Sequence, residues 1–195
     1  MNFLRKLFNI STESSNEKLI KKQPVNLSLD DSFVHHFINN GGKFLYSTKI
    51  DEVIYNLKHI IAENKWEEIS CNDIDLLKLT KDIPVTIHEK LNNTNPIFTS
   101  CEHLIANSGE ILFSSNQLGS QKLSQLSDDF IVYATTSQLV KNIGEGLTGI
   151  KMNFKGNIPT NISSIKNYSI SNSEDDILEF NRNSKNLYLL LFEDL

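Results

Sequence analysis

Leu187-Tyr188-Leu189-Leu190-Leu191-Phe192 is the stretch whose reading decides the fold. It is an unbroken apolar run of strand length, closed by Glu193-Asp194. A run that does not alternate with polar residues fits a strand buried on both faces, and such strands belong inside parallel sheets covered by helices. Upstream, Phe130-Ile131-Val132-Tyr133-Ala134-Thr135 is a second strand, rich in β-branched and aromatic residues. Further back the chain alternates. Asp30 and Asp31 cap a helix with Phe33, Val34, Phe37 and Ile38 on its apolar side, and Gly41 and Gly42 end it. Lys43 to Ser47 is a short strand. Ile50 to Asn64 is a helix, because Val53, Ile54, Leu57, Ile60 and Ile61 fall on one stripe. Glu68 to Cys71 and Pro84 to His88 are strands on either side of a short helix from Asp73 to Thr80. This rhythm predicts an α/β fold with a mainly parallel open sheet flanked by helices.

Pro96 to Thr99 and Ile111 to Ser114 continue the strands. Cys101 to Ala106 reads as one helical turn, followed by the turn Asn107-Ser108-Gly109. Thr136 or Ser137 caps a long helix running to about Asn153, and Ser173-Glu174-Asp175-Asp176 has the acidic start of another. Three parts follow: an amphipathic helix over residues 1–10, a polar linker over 11–29, and a single α/β domain over 30–195. In the first part Phe3, Leu4, Leu7 and Phe8 share a face opposite Arg5, Lys6 and Asn9. That face is expected to pack on its own domain or on a second subunit, as in a homo-oligomer; a short membrane toehold is the alternative.

Composition removes several function classes. The 195 residues carry a net charge of -5, which argues against nucleic-acid binding through a basic surface. No apolar run approaches the roughly 18 residues of a membrane span, and no signal-peptide core follows Arg5 and Lys6. The expected location is the cytoplasm. Cys71 and Cys101 form no CxxC pair, so no metal site or iron–sulfur cluster is expected from this chain alone, and both read as small buried hydrophobes. No GxGxxG and no GxxxxGK[ST] loop is present.

A ligand pocket in an open α/β sheet is expected beyond the carboxyl ends of the strands. The loops expected there are Ser100 to His103, Asn107 to Glu110, Ser114 to Gln117 and Pro159 to Asn161. Within them Asn107, Ser108, Gly109, Glu110, Ser114 and Ser115 combine a permissive glycine with closely spaced hydroxyls and amides. That set suits a small carboxylate or phosphate. The alternative is that these are turn residues satisfying their own backbone. The catalytic candidates are Glu110 and Cys101. A thiolate at Cys101 needs a base brought to it in space, because Glu102 and His103 on the same helical turn point elsewhere.

The string from Thr99 to Ser115, with its Ala106-Asn107-Ser108-Gly109 turn and the apolar strand after it, resembles the core motif of the LUD domain. That is the lactate-utilization family typified by LutC and YkgG. Leu123-Ser124-Gln125-Leu126-Ser127 before Phe130-Ile131-Val132-Tyr133-Ala134 looks like the family's leucine-rich loop and following strand, and Lys185 to Asp194 like its closing strand. The resemblance spans roughly Phe33 to Leu195. The chain departs from the pattern where Ser108 and Glu110 flank the glycine in place of threonines. It departs again where Lys166-Asn167-Tyr168-Ser169 and Asn183-Ser184-Lys185 stand in place of Gly-Pro-Ser and His-Gly-Pro elements. The resemblance implies a fold similar to the sugar-phosphate isomerase and CoA-transferase superfamily. It also implies a non-redox accessory or binding subunit with no cofactor of its own, working beside iron–sulfur oxidoreductase partner subunits. The alternative is a small enzyme acting on a phosphorylated sugar, a CoA thioester or an acyl donor, with Glu110 or Cys101 as the reactive group.

Overall fold

The computed structural model describes residues 27–155, 157–168 and 184–194. The helix expected over residues 1–10, most of the linker expected over 11–29 and the helix start at Ser173 lie outside these residues. The elements are α1 (Leu29–Asn39), β1 (Lys43–Ser47), α2 (Ile50–Glu63), β2 (Glu68–Ser70), α3 (Ile74–Leu77), β3 (Thr86–His88), β4 (Ile97–Ser100), β5 (His103–Ile105), β6 (Glu110–Ser114), α4 (Ser115–Leu118), β7 (Asp129–Thr135), β8 (Leu139–Val140), α5 (Ile143–Asn153), β9 (Ile162–Ile165) and β10 (Asn186–Phe192). Six strands form one parallel sheet in the order β1-β10-β7-β4-β2-β3, so the fold is α/β as expected. The other four form a second, smaller sheet in the order β8-β5-β6-β9, in which β6 runs antiparallel to both neighbours.

The last strand lies between β1 and β7, with Leu189 opposite Phe44 on one side and Val132 on the other. Its side chains divide by parity, as period two requires. Leu187, Leu189 and Leu191 enter a core with Phe33, Phe37, Ile97, Phe113 and Phe130, beneath α1 and the second sheet. Tyr188 and Leu190 enter the opposite core with Val53, Leu57, Ile60, Ile61 and Ile131, beneath α2. The three layers are therefore α2 with α3, the parallel sheet, and α1 with the second sheet.

Local capping differs in detail from the sequence reading. Ser28 caps α1, its Oγ accepting from Asp31 N, while Asp30 and Asp31 occupy the first turn. Two larger expectations fail. Cys101 to Ala106 is no helical turn: His103–Ile105 is a strand, paired with Glu110–Ser114 and with Leu139–Val140. The apolar Leu104 and Ile105 suit either conformation, and only the cross-strand partners decide it. The long helix from Thr136 is broken for the same reason. Thr136–Gln138 is a single 3-10 turn, Leu139 and Val140 pair with β5, and Asn142 caps a new helix by accepting from Glu145 N at 3.0 Å.

Truncation at this interior strand measures how far the two cores depend on it. Leu189 is fully buried. Leu189→Ala is expected to lower unfolding stability by about 2–5 kcal/mol in a denaturant titration, the range for a large-to-small core change.

Candidate functional site

All six strands of the main sheet point one way, so their carboxyl ends share a rim. The sheet reverses its winding between β2 and β4. From β2 the chain moves outward to β3, whereas from β4 it moves across to β7. Open α/β sheets place their ligand crevice at such a reversal. Asp73 leaves β2 there and caps α3, its Oδ1 accepting from Asp75 N at 2.9 Å and Leu76 N at 3.3 Å. Its Oδ2 accepts from Ser100 Oγ at the end of β4, at 2.9 Å. The two sides of this switch point are thereby joined.

Glu102 follows two residues on. Its Oε1 accepts from Ser114 Oγ at 2.5 Å, Gln117 Nε2 at 3.1 Å and Asn116 Nδ2 at 3.2 Å. Its Oε2 takes no hydrogen bond among the described residues. Ser114 is buried and caps α4, accepting from Asn116 N at 3.0 Å, while Gln117 Oε1 accepts from Ser114 N at 2.8 Å. Asn72 Nδ2 donates to Gln117 O at 3.1 Å and ties α4 to the β2 side. Gln138 secures the far wall. Its Nε2 donates to the backbone carbonyls of Cys101 and Glu102, and its Oε1 accepts from Thr135 N at 2.8 Å. The arrangement holds one carboxylate by three neutral donors and leaves its second oxygen free to accept from a ligand.

The end of β10 braces this wall. Asp194 accepts from Thr136 Oγ1, Ser137 N and Ser137 Oγ at 2.7–3.0 Å. Burial by itself raises the Asp194 carboxyl, but the donors from Ser137, Thr136 and Thr135 outweigh it and hold the group at about 2. Next to it Tyr46 OH donates to Glu193, and burial followed by that carboxylate raises the phenol above its ordinary range.

The six residues expected to line one pocket are not brought together. Ser114 and Ser115 stand at the carboxyl rim, and so do the loops Ser100 to His103 and Pro159 to Asn161. Ser115 N donates to Asn161 O at 2.9 Å, and Thr160 N donates to Ser115 Oγ at 3.2 Å. Asn107, Ser108, Gly109 and Glu110 lie at the other end of β6, roughly 13 Å of strand away. There the turn packs under α1. Asn40 Nδ2 donates to Ser108 O at 2.9 Å, Tyr168 OH donates to Gly109 O at 2.6 Å, and Lys166 stands 3.7 Å from Glu110. Gly109 has φ +70°, and a Cβ there would lie 2.5 Å from Phe37 N. The glycine is required for close approach of the chain to itself.

Both cysteines are buried. Burial, and after it the Glu102 charge, pushes the Cys101 thiol far up, and burial pushes Cys71 up to about 11. Among the described residues no three His, Cys, Asp or Glu side chains gather as a metal site, and no helix is long and apolar enough to cross a membrane. An open groove of about 470 Å³ lies at the amino ends of β2 and β3, lined by Lys58, Lys65, Trp66 and Pro84 among others. It is remote from the crevice. Sequence reasoning missed Asn72, Asp73, Gln138 and Asp194 as site residues. Asp73 and Asp194 stand three and two residues past the ends of β2 and β10, and that position was the available signal.

The sequence profile of the LUD domain matches residues 16–192. The chain belongs to the LUD domain family. This family is associated with lactate-utilization proteins. Its fold is similar to the crystal structure of a DUF162 family protein from Deinococcus radiodurans, with a TM-score of 0.59 and 16% identity over 86% of this chain and 99% of the other. No curated protein matches this LUD domain.

Two variants test the structural roles assigned here. Gly109→Ala is expected to cost about 2–4 kcal/mol in chemical denaturation, from left-handed strain together with the clash against α1. Asp194 titrates lower when folded than its ordinary value of about 3.9. Its contribution is therefore present above pH ~4 and is lost as pH falls through about 2. Melting curves of the wild type and Asp194→Asn should differ near neutral pH and converge at about pH 2.

Proposed function

We propose that this LUD domain is a non-redox binding subunit of the lactate-utilization type, and that the crevice between β2 and β4 receives a small hydroxylated metabolite. The observation that carries the reading is Glu102, fixed by Ser114, Asn116 and Gln117 through one oxygen with the other left free. A free carboxylate oxygen accepts from a ligand hydroxyl. It repels a bare anion, so any carboxylate on the ligand must lie away from it, toward the Asn72 amide on the β2 side. This shifts the expected chemistry from a simple anion held at the Gly109 turn to a hydroxyl-bearing ligand at the switch point. A binding role also agrees with the inert thiols and with the placement of Glu110, which sits beside Lys166 at the far end of β6.

Thermal shift tests this directly, because a ligand that binds only the folded chain raises its melting temperature. Lactate, glycerate and glycerol carry hydroxyls, whereas propionate and inorganic phosphate carry charge without an alcohol. At concentrations near 100 Kd the hydroxylated probes are expected to raise Tm by about 5–10 °C. Propionate and phosphate should have no effect. In Glu102→Ala the ligand-dependent shift should vanish, whatever the variant's own Tm. Equal shifts with lactate and propionate, or none with any hydroxylated probe, would overturn the reading.

A further inference from the structure

The groove at the amino ends of β2 and β3 encloses about 470 Å³, a volume in the range of small-molecule sites. One wall is α2 with the residues that close it. The other is Glu67, just before β2, together with Ile83 to Thr86. Thr86 N donates to Glu67 O at 2.9 Å and ties that second wall together. The groove lies at the opposite end of the strands from the carboxyl rim, so nothing in it rests on the proposed ligand crevice.

Trp66 is the chain's single tryptophan, and it lines the groove half-buried. Its ring stands perpendicular to Tyr188, with centroids 6.2 Å apart, and packs against the core beneath α2. That packing orients the ring before any ligand arrives, which lowers the cost of binding. Its indole N–H donates to no protein group among the described residues. Pro84, exposed, belongs to the other wall.

Lys65 is held in the lining by an unusual backbone. After α2, Lys65 N donates to Ala62 O at 3.1 Å and Trp66 N donates to Ile61 O at 3.0 Å. This closure sets Lys65 at φ +55°, the only non-glycine residue with positive φ among the described residues. Helices closed in this way usually carry glycine or asparagine there, because a longer side chain is unfavourable in the left-handed region. The chain keeps a lysine instead, and it lines the groove together with Lys58 of α2. Neither lysine has an ion pair among the described residues. Glu67 is the one acid of the lining. Glu63 lies about 140° round the helix from Lys58, off this wall. Lys81 and Asp82, ahead of Ile83, offset each other. Two cations therefore stand on the α2 side and one carboxylate on the β2 side.

We propose that this groove binds a flat heteroaromatic ring carrying an anionic group, the chemistry of a nucleoside monophosphate. The ring stacks on Trp66, with Pro84 on the other wall. The anion meets Lys58 and Lys65, and an amino group on the ring donates to Glu67. No glycine-rich loop is required, because lysines hold a phosphate as point charges. The unfavourable backbone at Lys65 then serves the ligand and not the fold.

Tryptophan fluorescence reports on this groove alone, since Trp66 has no counterpart elsewhere in the chain. With the full chain, adenosine monophosphate (AMP) is expected to quench it saturably. Adenosine keeps the ring and lacks the charge, and it should bind about tenfold more weakly or worse. Inorganic phosphate should leave the emission unchanged. Lys65→Gly should weaken AMP by about tenfold or more without lowering the melting temperature, because glycine adopts the left-handed backbone freely. Glu102→Ala should titrate with AMP as the wild type does, which separates this groove from the crevice. Absence of quenching by AMP overturns the proposal. So does equal affinity for adenosine, quenching by phosphate alone, or unchanged AMP affinity in Lys65→Gly. A lower melting temperature in Lys65→Gly would assign the lysine to the fold, and loss of AMP binding in Glu102→Ala would assign the nucleotide to the crevice; either result overturns it as well.

Discussion

Burial of β10 on both faces is the constraint on which the rest of the structure depends. Leu187, Leu189 and Leu191 fill one core while Tyr188 and Leu190 fill the other, so a single strand holds three layers together. A strand with no solvent face cannot slip by one residue without exchanging the contents of the two cores. That fixes β1 and β7 beside it in parallel register, and it brings Glu193 and Asp194 to the carboxyl rim. Asp194 then braces Thr136 and Ser137, and the same turn places Gln138 against the backbone of Cys101 and Glu102. A continuous path of contacts thus runs from the end of β10 to the candidate site.

The chemistry of that rim follows from how its carboxylates are held. Asp73, Glu102 and Asp194 are fixed by hydroxyls, amides and backbone N–H groups, with no cation in direct contact among the described residues. Neutral donors orient a carboxylate without cancelling its charge. The rim is therefore rich in hydrogen-bond acceptors. The four-stranded sheet has a different character. Its turn before β6 packs under α1, and Lys166 stands beside Glu110 there.

Legibility of the site was partial, for a physical reason visible in β6. Ser114 and Ser115 stand at the carboxyl side of the main sheet, in one of the loops expected there, whereas Glu102 was read only as pointing away from Cys101. Gly109 stood out, because a glycine in a polar turn suits close approach. What approaches it is α1, with Phe37 N only 2.5 Å from a would-be Cβ. A glycine signals a close approach without naming the partner. One five-residue strand then separates that turn from Ser114.

The sequence by itself determined the elements whose signal is local and strongly periodic. The apolar run of β10, the β-branched run of β7 and the stripe of α2 each state their own burial, and their alternation is enough for an α/β fold. Tertiary structure decided whatever depends on partners distant in the chain. Leu104 and Ile105 became strand because Ile111, Glu110, Leu139 and Val140 were there to pair with them. The helix expected from Thr136 gave way because Leu139 and Val140 gain ladder hydrogen bonds beside β5. Short apolar segments satisfy helix and strand alike, and the cross-strand hydrogen bonds that break the tie are made with residues no local window contains.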